Sequence, residues 1–472
     1  MEQNNNKKAA KAGVGYTIGN ILIKGLSFLT LPIFTRLMTT ADYGIYTTYI
    51  AYESILTIII SLGLHASVKN ANIDYPGKID NYVSTISLLP IFFCCILLLA
   101  IMPFRRSLSV TLGLDTFLLS MMLVQACASA ILTLYNCRIG LDYSYKAFIG
   151  ISIFNTVGNV ITSLVLILLF FKETAYYGRI LGTFIPITLI SIYILTLFYK
   201  KASPQRNVEY IKYGLKYSLP LIPHGVSQLI LAQFGKIIIQ NRIGNSEAGL
   251  YGFAYTIALI PQIIVQSVGM AWGPWFFEAY NNHQIYEIKN RTTQCVALLS
   301  LVTVGLFCIS PELVKIMAAS SYWESIRIIA PAILGVYFTF LYGFPVEIEY
   351  FFKKTHYIAI GTVVSAVLNV ILCILLVPRY GYETAVYVTL FTYILYFLAH
   401  MAISYAITNR ALPFDMKTMF LYILAVCISC VIIQLTLNYM LLRYLVALLW
   451  LVFLYCRYQD IAKTYLFKFF GK

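Results

Sequence analysis

Apolar runs, each about as long as a bilayer is thick, follow one another along the whole chain. They constrain its fold more than any motif does. A helix crosses the hydrocarbon core of about 30 Å with about 20 apolar residues, and it satisfies every backbone group internally. Runs of that kind lie near 14–35, 44–65, 82–103, 116–137, 147–171, 177–199 and 217–240. Others lie near 248–272, 292–311, 327–352, 356–377, 383–407, 418–438 and 441–456. The rest of the composition agrees. Only 11% of the residues are charged, against about 25% in soluble domains, which leaves too little polar surface to keep such a chain in water. The expected fold class is an all-α polytopic membrane protein of about fourteen transmembrane helices.

The loops between these runs are short, and none could hold a soluble domain. The formal net charge of +15 therefore reads as basic residues retained in cytoplasmic loops rather than as a nucleic-acid footprint. With the N-terminus inside, lysine and arginine favour the inner segments by roughly two to one, so both termini are expected in the cytoplasm. Arg105-Arg106 falls on the outer side in that arrangement. Lys7, Lys8 and Lys11 precede the first run, which continues past signal-peptide length without a small-residue cleavage site and reads as a retained helix. Segment 200–216 is the most basic, with Tyr210, Tyr213 and Tyr217 at helical spacing. That pattern suits a short amphipathic helix at the headgroups. Most of the ten cysteines sit inside apolar runs, with no His or acidic partner near the Cys427/Cys430 pair, and read as small apolar filler.

The chain resembles itself at an offset of about 205 residues. IFTRLMTTADYGIY (33–46) matches IQNRIGNSEAGLY (239–251), and YKAFIGISIFNTVGNVI (145–161) matches HYIAIGTVVSAVLNVI (356–371). Gly150 pairs with Gly361, Asn159 with Asn369, and Tyr177-Gly178 with Tyr380-Gly381. Six spans return a chain to its starting side, so the two copies are parallel repeats, and duplicated bundles suggest a transporter with alternating access. The expected organisation is a six-helix bundle over 1–199, a basic linker over 200–216, and a second six-helix bundle over 217–410. Two extra helices with a basic cytoplasmic tail occupy 411–472.

LPIFTRLMTTADYGIY (31–46), YSLPLIPHGVSQLI (217–230), RIGNSEAGLYGFAY (242–255) and VPRYGYETAVYVT (377–389) together resemble, in order, the polysaccharide-biosynthesis flippases. These include the Wzx-type O-antigen flippases of the multidrug, oligosaccharidyl-lipid and polysaccharide exporter superfamily. The resemblance implies a bacterial inner-membrane protein with two bundles around a central cavity. It implies that an undecaprenyl-diphosphate-linked oligosaccharide moves from the cytoplasmic to the periplasmic leaflet, as in lipopolysaccharide assembly. It implies no ATPase module, and no GxxxxGK[ST] sequence is found. No cofactor, metal site or catalytic residue is expected. Partners would be the lipid-linked substrate, membrane lipids, a coupling H+ or Na+, and a polysaccharide polymerase with its chain-length regulator.

Charge is costly within a bilayer, so charged and amide residues inside the runs are the ones to question. Lys24 shares a helix face with Thr17, Asn20 and Ser27 and would hold phosphate oxygens, or else snorkel. Lys236 shares a face with Gln233 and Gln240. His224 and Gln228 form another polar pair just after Pro220 and Pro223. Arg36 and Arg242 are the repeat-related arginines at helix ends, and Arg179 begins the sixth run; arginine binds phosphate bidentately, while topology anchoring explains them equally well. Asn155 and Asn159 suit sugar hydroxyls, but such amides also glue helices together. The same holds for Gln262 and Gln266. Glu53, on a face with Tyr46, Tyr49 and Thr57, would either neutralise a base or carry a coupling proton. Glu347 and Glu349 are weaker candidates. Two other functions compete. A multidrug exporter of the same superfamily would need an acidic cavity for cationic drugs. A membrane polymerase would need a long outer loop or a clustered acid–base site.

Overall fold

The structure, a computed structural model, describes residues 2–470, and their regular structure is helical throughout. Side chains from 460 onward, and those of Lys7, Lys8 and Lys11, lie outside the described residues, so the basic ends expected from sequence are not placed. In chain order the first helices are α1 (Glu2–Leu29), α2 (Leu31–Leu37), α3 (Thr40–Ser61), α4 (Val68–Asp74), α5 (Ile79–Ile86), α6 (Leu88–Ile101) and α7 (Arg105–Leu112). They are followed by α8 (Thr116–Leu141), α9 (Tyr145–Leu169), α10 (Ala175–Lys201), α11 (Val208–Ser218), α12 (Ile222–Arg242), α13 (Asn245–Ala258) and α14 (Gln262–Asn281). The last are α15 (Ile285–Met317), α16 (Ile326–Leu341), α17 (Gly343–Phe351), α18 (Thr355–Tyr380), α19 (Glu383–Ile407), α20 (Met416–Leu435) and α21 (Met440–Phe470).

Among the described residues, twelve helical segments are long and apolar enough to cross a bilayer, or up to thirteen if the pair α3 and Leu64–Asp74, bent by 49°, is one span. The polytopic all-α class holds; the exact count of fourteen is not confirmed. The eighth expected span is not among those found in the described residues. Its apolar run is parted at Leu259–Pro261 into α13 and α14. Fourteen residues of α13 reach only about 21 Å at 1.5 Å per residue, short of a hydrocarbon core.

The chain packs as two compact units. One runs to Gly252 and includes Val370–Tyr382; the other comprises Phe253–Asn369 and the chain from Glu383 onward. Lipid tails are as apolar as leucine, so helices in a bilayer associate through close packing and interhelical hydrogen bonds rather than through apolar burial. Both devices are present. In the first unit, Gly178 and Gly182 of α10 lie four residues apart and press against Ile167 and Ser163 of α9. A Cβ on Gly178 would come within 2.7 Å of the Ile167 side chain. A second close approach joins the repeated motifs themselves. A methyl on Gly44 of α3 would overlap Asn245 O, and one on Gly249 of α13 would overlap Thr40 O. Each glycine meets the residue four before the other. Thr39 and Asp42 close a capping box at the start of α3, which satisfies backbone donors next to that crossing.

Segment 200–216 carries the expected short helix, α11. Its Tyr210 and Tyr213 turn toward the protein and pack edge-on against Tyr75 and Tyr82, with ring centroids 4.9–5.9 Å apart, while Tyr217 stays exposed. In the second unit α16 is almost wholly buried. The Ser300–Tyr337 and Thr362–Tyr396 hydroxyl pairs, at 2.9 and 2.8 Å, tie α15 to α16 and α18 to α19. Arg443 of α21 reaches Glu312 and Cys308 O of α15, which fastens the last helix to the unit.

Candidate functional site

The charged side chains within the spans of the first unit fall into two kinds. Arg138 of α8 is buried and ion-paired, 2.8 Å from Asp80 and 2.6 Å from Asp142. Its charge is spent inside the protein. Arg179 is different. The close approach of α10 to α9 sets its guanidinium beside Asn159 Oδ1 and 2.8 Å from Ser163 Oγ, to both of which it donates. The rings of Phe34 and Tyr46 cover it, with their centroids 3.9 and 4.8 Å from Cζ. Among the described residues its partners are an amide, a hydroxyl and two rings, so its positive charge is held in place without being neutralised. Stacked guanidinium of this kind is fixed in direction while keeping donors for a planar anion.

Lys236 of α12 is half-buried and donates to Gln233 Oε1 at 2.8 Å, again a neutral partner among the described residues. One turn on, buried Gln240 donates to Asn245 Oδ1 at 3.1 Å, and its own Oε1 has no partner among the described residues. Asn241 donates to Tyr52 Oη at 3.3 Å. Glu53 is buried. Its Oε1 accepts from Ser129 at 2.6 Å and from Thr57 at 3.0 Å, so two hydroxyls, not a base, hold this carboxyl group in the described structure. Beside it Tyr49 donates to Gln125 at 3.1 Å.

On α1, Gly15 and Gly19 pack against Tyr145 and Ile149 of α9. Thr17, Asn20, Lys24 and Ser27 lie on the opposite side of the helix by the 100° step per residue. Lys24 and Asn20 are half-buried there. Thr17 and Ser27 turn their hydroxyls back onto Gly13 O and Ile23 O.

The structure thus joins Asn159 to Arg179 and Gln233 to Lys236. It does not gather every residue singled out from sequence. Arg36 donates to Pro32 O of its own helix at 2.8 Å and is exposed, as are Arg242 and Gln228. His224 and Asn155 are half-buried. Phe34, Ser129 and Ser163, which complete the Arg179 and Glu53 sites, carry no local mark in the sequence; only the helix-to-helix pairing reveals them. The two copies also differ. The register that pairs Tyr177-Gly178 with Tyr380-Gly381 puts Tyr382 opposite Arg179, and Asn369 lies 3.4 Å from the Thr389 hydroxyl. The cation belongs to the first copy alone.

A family model described as polysaccharide biosynthesis protein matches residues 10–280. The Lsg locus protein 1 of Haemophilus influenzae is 24% identical over 292 residues, which are 59% of this chain and 68% of that one. Among solved structures, a lipid II flippase MurJ in an inward closed conformation is similar with a TM-score of 0.73 at 15% identity, over 95% of this chain and 100% of that one. An outward-facing multidrug resistance MATE transporter of the MOP superfamily is similar with a TM-score of 0.55 at 15% identity, over 86% and 97%. At such identities the two structures speak for the fold.

Proposed function

Since the chain belongs to the polysaccharide biosynthesis protein family and has a fold shared by flippases and exporters, we propose that it flips a lipid-linked oligosaccharide. The movement runs from the cytoplasmic to the periplasmic leaflet of a bacterial inner membrane, with both termini cytoplasmic. The substrate class is an undecaprenyl-diphosphate-linked repeat unit of a surface polysaccharide such as O-antigen.

One observation carries the reading. Arg179 and Lys236 lie within spans and keep neutral partners among the described residues. An unneutralised cation inside a span is costly, and a diphosphate supplies the countercharge. Arg179 would hold it bidentately, Lys236 and Lys24 as point charges, while Asn20, Gln233, Gln240, Asn155 and Asn159 meet sugar hydroxyls. The lipid tail stays in the bilayer. The two sequence copies rock to open the path to alternate sides, and Glu53 carries a coupling proton in the first copy. A cationic-drug exporter would want the opposite sign of charge at these positions.

The test is complementation of a deletion in the source organism at matched membrane levels. Arg179→Ala and Lys236→Ala are expected to lower surface polysaccharide at least about tenfold, the effect of losing about 1.4 kcal/mol of anion binding. Full complementation by both would overturn the cationic reading.

A further inference from the structure

The second unit holds a charged pair that the reading above leaves idle. Glu349 of α17 and His400 of α19 are completely buried, and His400 Nδ1 lies 2.7 Å from Glu349 Oε1. The pair is built in on every side. Gly361 of α18 lies against the imidazole: a Cβ there would come within 2.8 Å of His400 Nε2. The Tyr396 ring stands edge-on to the imidazole at 4.6 Å, and the Tyr342 ring lies at 6.1 Å. Ser404 donates to Pro345 O at 2.8 Å, which locks α19 to α17. Yet the outer atom of each partner, Glu349 Oε2 and His400 Nε2, has no hydrogen-bond partner among the described residues. A pair kept only to join two helices is often no more stable than apolar side chains of the same volume, and buried orphan polar atoms call for an explanation.

The other titratable groups around it are Tyr342 from the junction with α16, Tyr350 and Glu347 on α17, and Tyr396 on α19. The Glu347 carboxyl lies toward Gly273 of α14, where a Cβ would stand 3.1 Å from its Oε1. Among the described residues no lysine or arginine forms an ion pair with Glu349. The charge of the site is therefore set by the pair's own protons. With one proton shared between them the pair is neutral overall. Removing it leaves a buried anion, and adding a second leaves a buried cation, both costly away from water.

We propose that Glu349 and His400 form a proton-binding site, distinct from Glu53, that exchanges its proton only when α17, α18 and α19 part. Proton exchange and the opening of the second unit are then one event, and the proton is the coupling ligand of this half of the protein. The coupling part of the proposal rests on the transport reading; the proton site does not.

The test uses purified full-length protein in detergent carrying isotope-labelled histidine, stepped between about pH 5 and 8, where imidazole titrates. Infrared difference spectra are expected to show a histidine band and a carboxyl band changing together. Both should be lost in Glu349→Gln and in His400→Gln, with thermal unfolding confirming the fold of each. Should either variant fail to fold, a protein with His65, His224, His283 and His356 replaced by Gln leaves His400 as the one histidine reporter. Bands unchanged by the substitutions, or a silent His400 in the single-histidine protein, would overturn the site. In the deletion strain, Glu349→Gln is expected to cut surface polysaccharide at least about tenfold at normal membrane level. Full complementation by it would overturn the coupling while leaving the site. A deletion without any polysaccharide defect would instead sink the transport reading on which the coupling rests.

Discussion

Arg138, Arg443, Arg179 and Lys236 all sit in helices apolar enough to cross a bilayer, yet they touch different things, and different losses follow. Arg138 and Arg443 are paired with carboxylates. Their carboxylate partners are partly exposed, so removing the arginine costs less than the ~3–5 kcal/mol of a fully buried pair. Arg138→Ala and Arg443→Ala should still lower the thermal midpoint and the yield of folded protein in detergent. Arg179→Lys should do neither, because its partners are neutral. It keeps the charge but loses the stack on Phe34 and Tyr46 and the forked contact with Asn159 and Ser163, so surface polysaccharide should fall while the melt stays within about 1 kcal/mol. A normal polysaccharide level with Arg179→Lys would show that bare charge suffices. In the sequence, polarity inside an apolar run was enough to single out Lys24, Lys236, Glu53 and Arg179. It could not say which charges were neutralised. Arg443, near the start of the last run, is buried against α15. Glu349 and His400 stand 51 residues apart on different helices, so no local pattern joins them.

The helices show where apolarity stops being informative. Long runs mark most spans well, because a bilayer demands length and leaves little else to choose. Breaks are harder. Pro261 parts α13 from α14, but Pro186, Pro311 and Pro331 lie inside α10, α15 and α16 without ending them. Neighbouring helices can re-satisfy the carbonyls that a proline frees, and nothing in the run itself tells which prolines are so supported. The repeated motif was readable as sequence, and its physical reason is the crossing of α3 with α13 at Gly44 and Gly249. A side chain at either position meets a backbone oxygen that cannot move aside. Gly44→Ala and Gly249→Ala should each destabilise by more than the ~1–3 kcal/mol of ordinary overpacking, read as loss of folded monomer in fluorescence-detected size exclusion. Gly150, with nothing near its Cβ position, should accept alanine without such a loss. The tyrosines of α11 were also legible as a helix face. That the face turns to Tyr75 and Tyr82 rather than outward depended on residues well over a hundred positions away.

For the whole molecule, the ordered motifs resemble the polysaccharide-biosynthesis family, and the family match and the polytopic all-α fold agree with that resemblance. Sidedness rests on the distribution of lysine and arginine. Reporter fusions after Arg410 and after the last residue should both report the cytoplasm. Direction of transport is the remaining property, and it belongs to the entire cycle rather than to any residue. The decisive measurement is the leaflet in which lipid-linked repeat units collect when the protein is deleted, assigned by their accessibility to a periplasmic glycan-modifying probe. Flipping predicts that single units stay in the cytoplasmic leaflet, beyond the probe's reach, until the wild-type chain is restored. Single units that are fully accessible in the periplasmic leaflet of the deletion strain would contradict it and place the protein after the crossing.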